Sequence, residues 1–182
     1  AEYPSQSGIE AALILRRSLR GTGDISDIRV ETFDTAIEII GGEKEKWHPR
    51  TRETADHSLP YCITAALVDG TVGLEQFTER KIRNPQTQKL MQKVRVLRSA
   101  WHNRMYPKNL PTTLTIRTRQ GKTLKCTVEN PRGHARNPMN DCEIVEKFMS
   151  QAEICISARQ ARKIIDYVWG LERRASIRGL LQ

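Results

Sequence analysis

The stretch "TTLTIRTRQGKTLKCTVEN", residues 112–130, restricts the fold more than any other part of this chain. Apolar and polar residues alternate along two arms, which meet at Gln120-Gly121. A period of two marks a strand with one buried face, and a glycine break between two such arms predicts a β-hairpin. Most of the remaining chain carries helical spacing instead. A hairpin set among helices gives an α+β fold, expected here as a small, mostly antiparallel sheet with flanking helices and a final C-terminal helix.

The other elements follow from local signals. Residues 5–20 predict a helix, with Ile9, Ala12, Leu13 and Leu19 inward and Gly21 and Gly23 as its stop. "DISDIRVETF" predicts a strand through Ile28, Val30 and Thr32, and "DTAIEIIGG" a short helix opened by Asp34. "EKEKWHPRTRETAD" reads as a polar, basic connection. Ser58 then caps a helix that tolerates Pro60 in its first turn. Its apolar face is Leu59, Ile63, Ala66 and Leu67, and Gly70 ends it. "GLEQFTERKI" and "NPQTQKLMQKV" predict two short helices, and "KVRVLRSA" a strand. "SAWHNRMYPKN" reads as a strand edge running into a loop. Its mixed aromatics and cations also suit single-stranded nucleic acid, without any recognition motif to support that. A helix capped by Asn140 or Asp141 follows. The last helix is capped by Ser157, with Ala161, Ile164, Ile165 and Val168 inward.

Composition narrows the function classes. The chain has 182 residues, 38% hydrophobic and 28% charged, which suits one soluble globular domain with a real core. No apolar run reaches the ~18 residues that span a bilayer, so no membrane partner is expected. The net charge of +9 attracts anions, but the cations are dispersed rather than gathered in a stripe. Cys62, Cys126, Cys142 and Cys155 are irregularly spaced, as free thiols in a reducing compartment would be. His48, His57, His102 and His134 share no ligand spacing with them, so a zinc site is not expected. Phosphate-loop, zincin and nucleophile-elbow motifs are absent. The chain opens on Ala1 in mid-phrase without a secretory leader pattern, and further sequence is expected upstream.

Two places carry candidate chemistry. His57 and Tyr61 stand four apart and share a face if the helix reaches back to His57, where free N–H groups suit a carboxylate. Arg50 and Arg52 stand close enough in sequence to add grip. The plainer alternative is a helix cap with a satisfied polar pair over the core, and spacing alone favours it modestly. His134 lies between Arg132 and Arg136 in a Gly/Pro loop, which reads equally as an anion contact or an ordinary surface loop. Glu2, Ser5 and Gln6 either cap the first helix or reach a ligand. His48 and His102 read as packing or solvent-facing residues.

Three phrases taken together resemble the C-terminal part of the MmgE/PrpD family: "AEYPSQSGIEAA", "RETADHSLPYCITAALVDG" and "RGHARNPMNDCEIVEKF". That family includes 2-methylcitrate dehydratase, cis-aconitate decarboxylase and iminodisuccinate epimerase. The resemblance runs nearly end to end, and the D-H-S-x-P-Y block followed by "ALVDG" is its most specific part. It implies an α+β lid domain over residues 1–156, and a C-terminal helix over 157–182 that packs on a helical domain not included here. It implies a lyase, a hydro-lyase acting on 2-methylcitrate or a similar hydroxy-tricarboxylate without metal or cofactor, or else a decarboxylase or epimerase of the same family. A basic nucleic-acid-binding module is the alternative from another class. The resemblance casts Tyr61 and His57 as catalytic, and Gln6, His134, Arg132 and Arg136 as substrate-binding. Dehydratase-like members read E-[FY]-H-S-Q where this chain reads "EYPSQ", so Pro4 replaces a His. Gln6 stands where decarboxylase members have a His. The implied setting is the methylcitrate cycle of propionate metabolism, in the cytoplasm or mitochondrial matrix. The implied partners are the helical domain and a second copy in a homodimer, with no nucleic acid.

Overall fold

The computed structural model describes residues 1–178. The chain divides into two compact units, Ala1–Asn137 and Pro138–Gln182. In the first, a 3-10 turn (Tyr3–Ser5) leads into α1 (Gln6–Arg16), β1 (Ile25–Thr32), α2 (Asp34–Ile40), α3 (Lys44–Trp47), α4 (Arg52–Asp56) and α5 (Leu59–Asp69). A further 3-10 turn (Leu74–Phe77) precedes α6 (Glu79–Ile82) and α7 (Pro85–Met91). Then come β2 (Val94–Arg98), α8 (Ala100–Met105), β3 (Thr112–Thr118) and β4 (Thr123–Val128).

The strands form one sheet in the order β2-β1-β3-β4. β3 and β4 are the expected hairpin, with Leu114 opposite Cys126, and β1 runs antiparallel to β3. The sheet is nevertheless mixed rather than mostly antiparallel, because β2 pairs parallel to β1, with Val30 opposite Val96. Parallel neighbours need a long crossover, and helices α2 to α7 supply it. Alternation then sorts the two faces. Ile28, Val30, Leu114 and Ile116 turn to a core shared with α1 and α5, while Arg29, Arg95, Thr115 and Lys125 form a row across the other face.

The amphipathic helix expected after Ser58 is in fact buried on every side from Leu59 to Leu67. An apolar helix of this kind belongs in a core rather than on a surface. α1 approaches it closely at Gly8, where an added Cβ would lie 3.2 Å from Ile63 and Leu59 methyl carbons. α5 ends at Gly70 in the left-handed region (φ 76°), and the Arg16 guanidinium caps its last turn by donating to the Leu67 and Val68 carbonyls.

Three other segments differ from expectation. α1 stops at Arg16, short of the glycines. The "polar connection" contains α3 and α4. A Thr51–Thr54 capping box opens α4, and Trp47 donates its indole N–H to the Gly41 carbonyl at 2.8 Å. "SAWHNRM" forms α8 instead of a strand edge, with His102 buried and its Nε2 3.0 Å from Thr113 Oγ1.

The second unit holds α9 (Asp141–Ala152) and α10 (Ala158–Trp169). Asn140 and Ser157 open them, each in a capping box, with Glu143 and Gln160. Ile144, Val145 and Phe148 face Ile164, Ile165, Val168 and Trp169 across an apolar cleft of about 130 Å³. Ala161 is buried as expected, but Val168 and Trp169 stay exposed. No helix among the described residues is long and apolar enough to cross a membrane.

Candidate active site

The amino-terminal segment brings the candidate residues together. The Glu2 N–H donates to the Asp56 carbonyl at the end of α4 (2.9 Å), and the Ser5 hydroxyl closes the turn onto the Glu2 carbonyl. Glu2 is thereby held against His57, with Oε2 3.5 Å from Nε2. On the other side of the ring, Nδ1 lies 2.5 Å from Asp56 Oδ1 and 3.2 Å from the Glu53 carbonyl. Both of these neighbours are acceptors and suit a proton on Nδ1, while Nε2 stands on the open side of the ring beside the Glu2 carboxylate. The His57 side chain is 40% exposed, which keeps Nε2 within reach of a ligand.

Tyr61 takes no part in this surface. α4 ends at Asp56 and His57 is its C-cap; Ser58 then opens a new helix by accepting the Tyr61 N–H. The helix therefore does not reach back to His57, and the two side chains do not share a face. Tyr61 is 1% exposed, packs on Phe77 and donates its hydroxyl to the Gln76 carbonyl. Burial, with Cys62 and Asp69 adding to it, pushes the phenol well above its ordinary range. The Gln76 amide donates in turn to Asp69, which pairs with Lys81 at 2.8 Å. Burial works to raise the Asp69 carboxyl, but the hydrogen bonds from Lys81 and Gln76 outweigh it and hold the group below its usual range.

The His134 loop closes on itself: Gly133 N–H donates to the Asn137 carbonyl, and Asn137 N–H to that of His134. Arg136 donates its backbone N–H to His134 Nδ1 at 3.1 Å, and its guanidinium reaches Asn109 Oδ1 at 3.4 Å. The Arg132 N–H donates to Glu10 Oε2 on α1, which anchors the loop to that helix, and the Arg132 guanidinium donates to Asn137 Oδ1. The His134 ring lies parallel to Tyr3, with centroids 6.5 Å apart. Gln6, the first residue of α1, donates to the Ala1 carbonyl.

Consecutive residues of the amino-terminal turn thus reach both places that the sequence singled out: Glu2 meets His57, and Tyr3 meets His134. Gln6 follows on α1, and Arg132 is tied to the same helix. The Asp56-His57 adjacency was visible in the sequence, whereas the parts played by Glu2, Tyr3 and Asn109 depend on contacts that no local signal announces. Arg50 and Arg52 lie at the opposite end of α4 from His57. Among the described residues, no group of three His, Cys, Asp or Glu side chains is placed to hold a metal ion.

Comparison with known sequences matches residues 1–173 to the MmgE/PrpD C-terminal domain. The chain belongs to the MmgE/PrpD family. Among its curated relatives is 2-methylcitrate dehydratase of Salmonella typhimurium, 23% identical over 176 residues, which covers 91% of this chain and 36% of that protein. The mitochondrial 2-methylcitrate dehydratase of Yarrowia lipolytica is 23% identical over 175 residues, covering 91% and 33%. Cis-aconitate decarboxylase of Homo sapiens is 28% identical over 130 residues, covering 68% and 26%. This MmgE/PrpD domain therefore spans roughly a quarter to a third of the length of the relatives it matches.

Proposed function

We propose that this MmgE/PrpD domain is the lid of a hydro-lyase that dehydrates 2-methylcitrate or a similar hydroxy-tricarboxylate by general acid–base chemistry. The observation that carries the proposal is His57, its Nδ1 held by Asp56 and the Glu53 carbonyl, with Nε2 outward beside Glu2. In this reading Nε2 takes the proton from the carbon next to a substrate carboxylate. The C–H electron pair forms the double bond, the C–O bond breaks, and the oxygen leaves as water with a proton from an acid on the family's helical domain. Arg132, Arg136 and His134 hold substrate carboxylates, and Gln6 hydrogen-bonds to them. Tyr61 acts as a positioning residue: through Gln76 it fixes the helix that follows His57.

The helical domain is the proposed partner, and the apolar cleft between α9 and α10 is the surface proposed to meet it. A homodimer is proposed for the complete enzyme, in the cytoplasm or the mitochondrial matrix. The rival activity is decarboxylation of cis-aconitate, which the human relative's name carries; Gln6 counts against it, since an amide does not exchange protons as an imidazole does. The test supplies the complete enzyme, containing this domain and a helical domain, with 2-methylcitrate, cis-aconitate and iminodisuccinate in turn. Dehydration shows as the absorbance of a new double bond conjugated to a carboxylate. Carbon dioxide release from cis-aconitate, without dehydration of 2-methylcitrate, would replace this proposal with the rival.

A further inference from the structure

A second cluster of cations lies at the other end of α4. Pro49 is buried, while His48 and Arg50 on either side of it stay exposed. Their backbone is well held. Trp47 is tied to Gly41, the Lys46 carbonyl accepts the buried Ser58 hydroxyl, and the Arg50 N–H donates to Thr54 Oγ1. Opposite them, Arg83 caps α6 and Gln88 projects from α7, with the Gln88 amide fixed on the Ile82 carbonyl at 2.7 Å. His48, Arg50, Arg83 and Gln88 surround a cleft of about 500 Å³ with Pro49 and Ile82 as its apolar wall. An adjoining hollow of about 420 Å³ shares His48 and Arg50 and adds Lys44, Glu45, Thr51 and Thr54.

Among the described residues, the side chains of His48 and Arg50 have no hydrogen-bond or ion-pair partner. Arg83 meets Glu79 at 3.6 Å in a pair whose guanidinium side is 71% exposed, a contact that an incoming anion can replace at little cost. Guanidinium forks suit the planar oxygens of carboxylates and phosphates, and the cleft has the size of an ordinary small-molecule site. Thr51 and the five residues of α4, about 7.5 Å of helix, separate Arg50 from His57.

We propose that this cleft is an oxyanion site, distinct from the His57 cluster, in which Arg50, Arg83 and His48 hold a small molecule bearing two or more carboxylate or phosphate groups. The ligand bridges the α3–α4 connection and the α6–α7 corner, so its binding stabilises the folded chain. The inference does not depend on His57 being catalytic.

The test titrates the chain with citrate and, separately, with inorganic phosphate, by calorimetry and by thermal unfolding at constant ionic strength. Saturable binding with a rise in Tm is expected, weakened at least about tenfold by Arg50→Gln and by Arg83→Gln. Arg117→Gln, on the open face of the sheet, should leave binding intact. Tighter citrate assigns the site to polycarboxylates, and tighter phosphate assigns it to phosphate esters. The proposal is overturned if sodium chloride of equal ionic strength gives the same Tm rise, or if binding survives both substitutions. Loss of binding on His57→Gln, with Arg50→Gln and Arg83→Gln without effect, also overturns it. Arg83 is exposed enough that its variant remains informative if Arg50→Gln disturbs α4.

Discussion

Replacing Tyr61 with Phe deletes one oxygen and leaves the ring against Phe77, so no cavity opens. What is lost is the hydroxyl's bond to the Gln76 carbonyl, and both residues are buried. A typical net hydrogen bond contributes about 0.5–1.5 kcal/mol, and leaving a buried acceptor unpaired raises the cost to about 1–3 kcal/mol. The Gln76 side chain also supports Asp69, so loosening its turn adds to the loss rather than relieving it. For a chain of this size, each kcal/mol lowers Tm by about 2–4 °C. Urea unfolding followed by tryptophan fluorescence gives the number, with Tyr3→Phe, at an exposed position, as the control expected within about 0.5 kcal/mol of wild type. In the complete enzyme, Tyr61→Phe should retain most of its turnover per folded molecule. Unchanged stability together with collapsed turnover would place the hydroxyl at the substrate and refute the core assignment.

Other consequences are as direct. The buried Cys62 thiol, pushed up to about 12 mainly by burial, should resist a thiol reagent until the chain unfolds, whereas the exposed Cys142 and Cys155 should react in the native state; counting thiols released with and without denaturant checks this. Burial lowers the His102 imidazole below 6.5, with Glu31 opposing and Lys125 assisting. The unfolded chain then takes the proton first, so this residue's contribution to stability is full above 6.5 and declines as pH falls beneath it. A Tm-versus-pH series should show that slope, and His102→Asn should remove it. Gly70→Ala forces a side chain into the left-handed region and puts its Cβ 3.0 Å from the Arg16 guanidinium carbon, so a loss of about 1–2 kcal/mol is expected in urea unfolding.

The features read correctly from sequence are those fixed by neighbours in the chain. The hairpin at Gly121, the caps at Ser58, Asn140 and Ser157, and the stop at Gly70 each rest on residues a few positions apart. The parallel β2 depends on where a long crossover returns, and α8 on the burial of His102 against β3; neither leaves a local mark. The candidate site divides in the same way. His57, His134 and their arginines were visible as chemistry, but their link through Glu2 and Tyr3 is a tertiary contact. The pairing of His57 with Tyr61 assumed one continuous helix, and the Ser58-Leu59-Pro60 restart breaks it.

The central claim is that His57 moves the proton. The direct measurement is 2-methylcitrate dehydration by the complete enzyme carrying His57→Gln, a change at a half-buried side chain, with folding checked by urea unfolding. A fall in kcat of about 10²–10⁴ with KM little changed is expected. Wild-type kcat in the folded variant would contradict it.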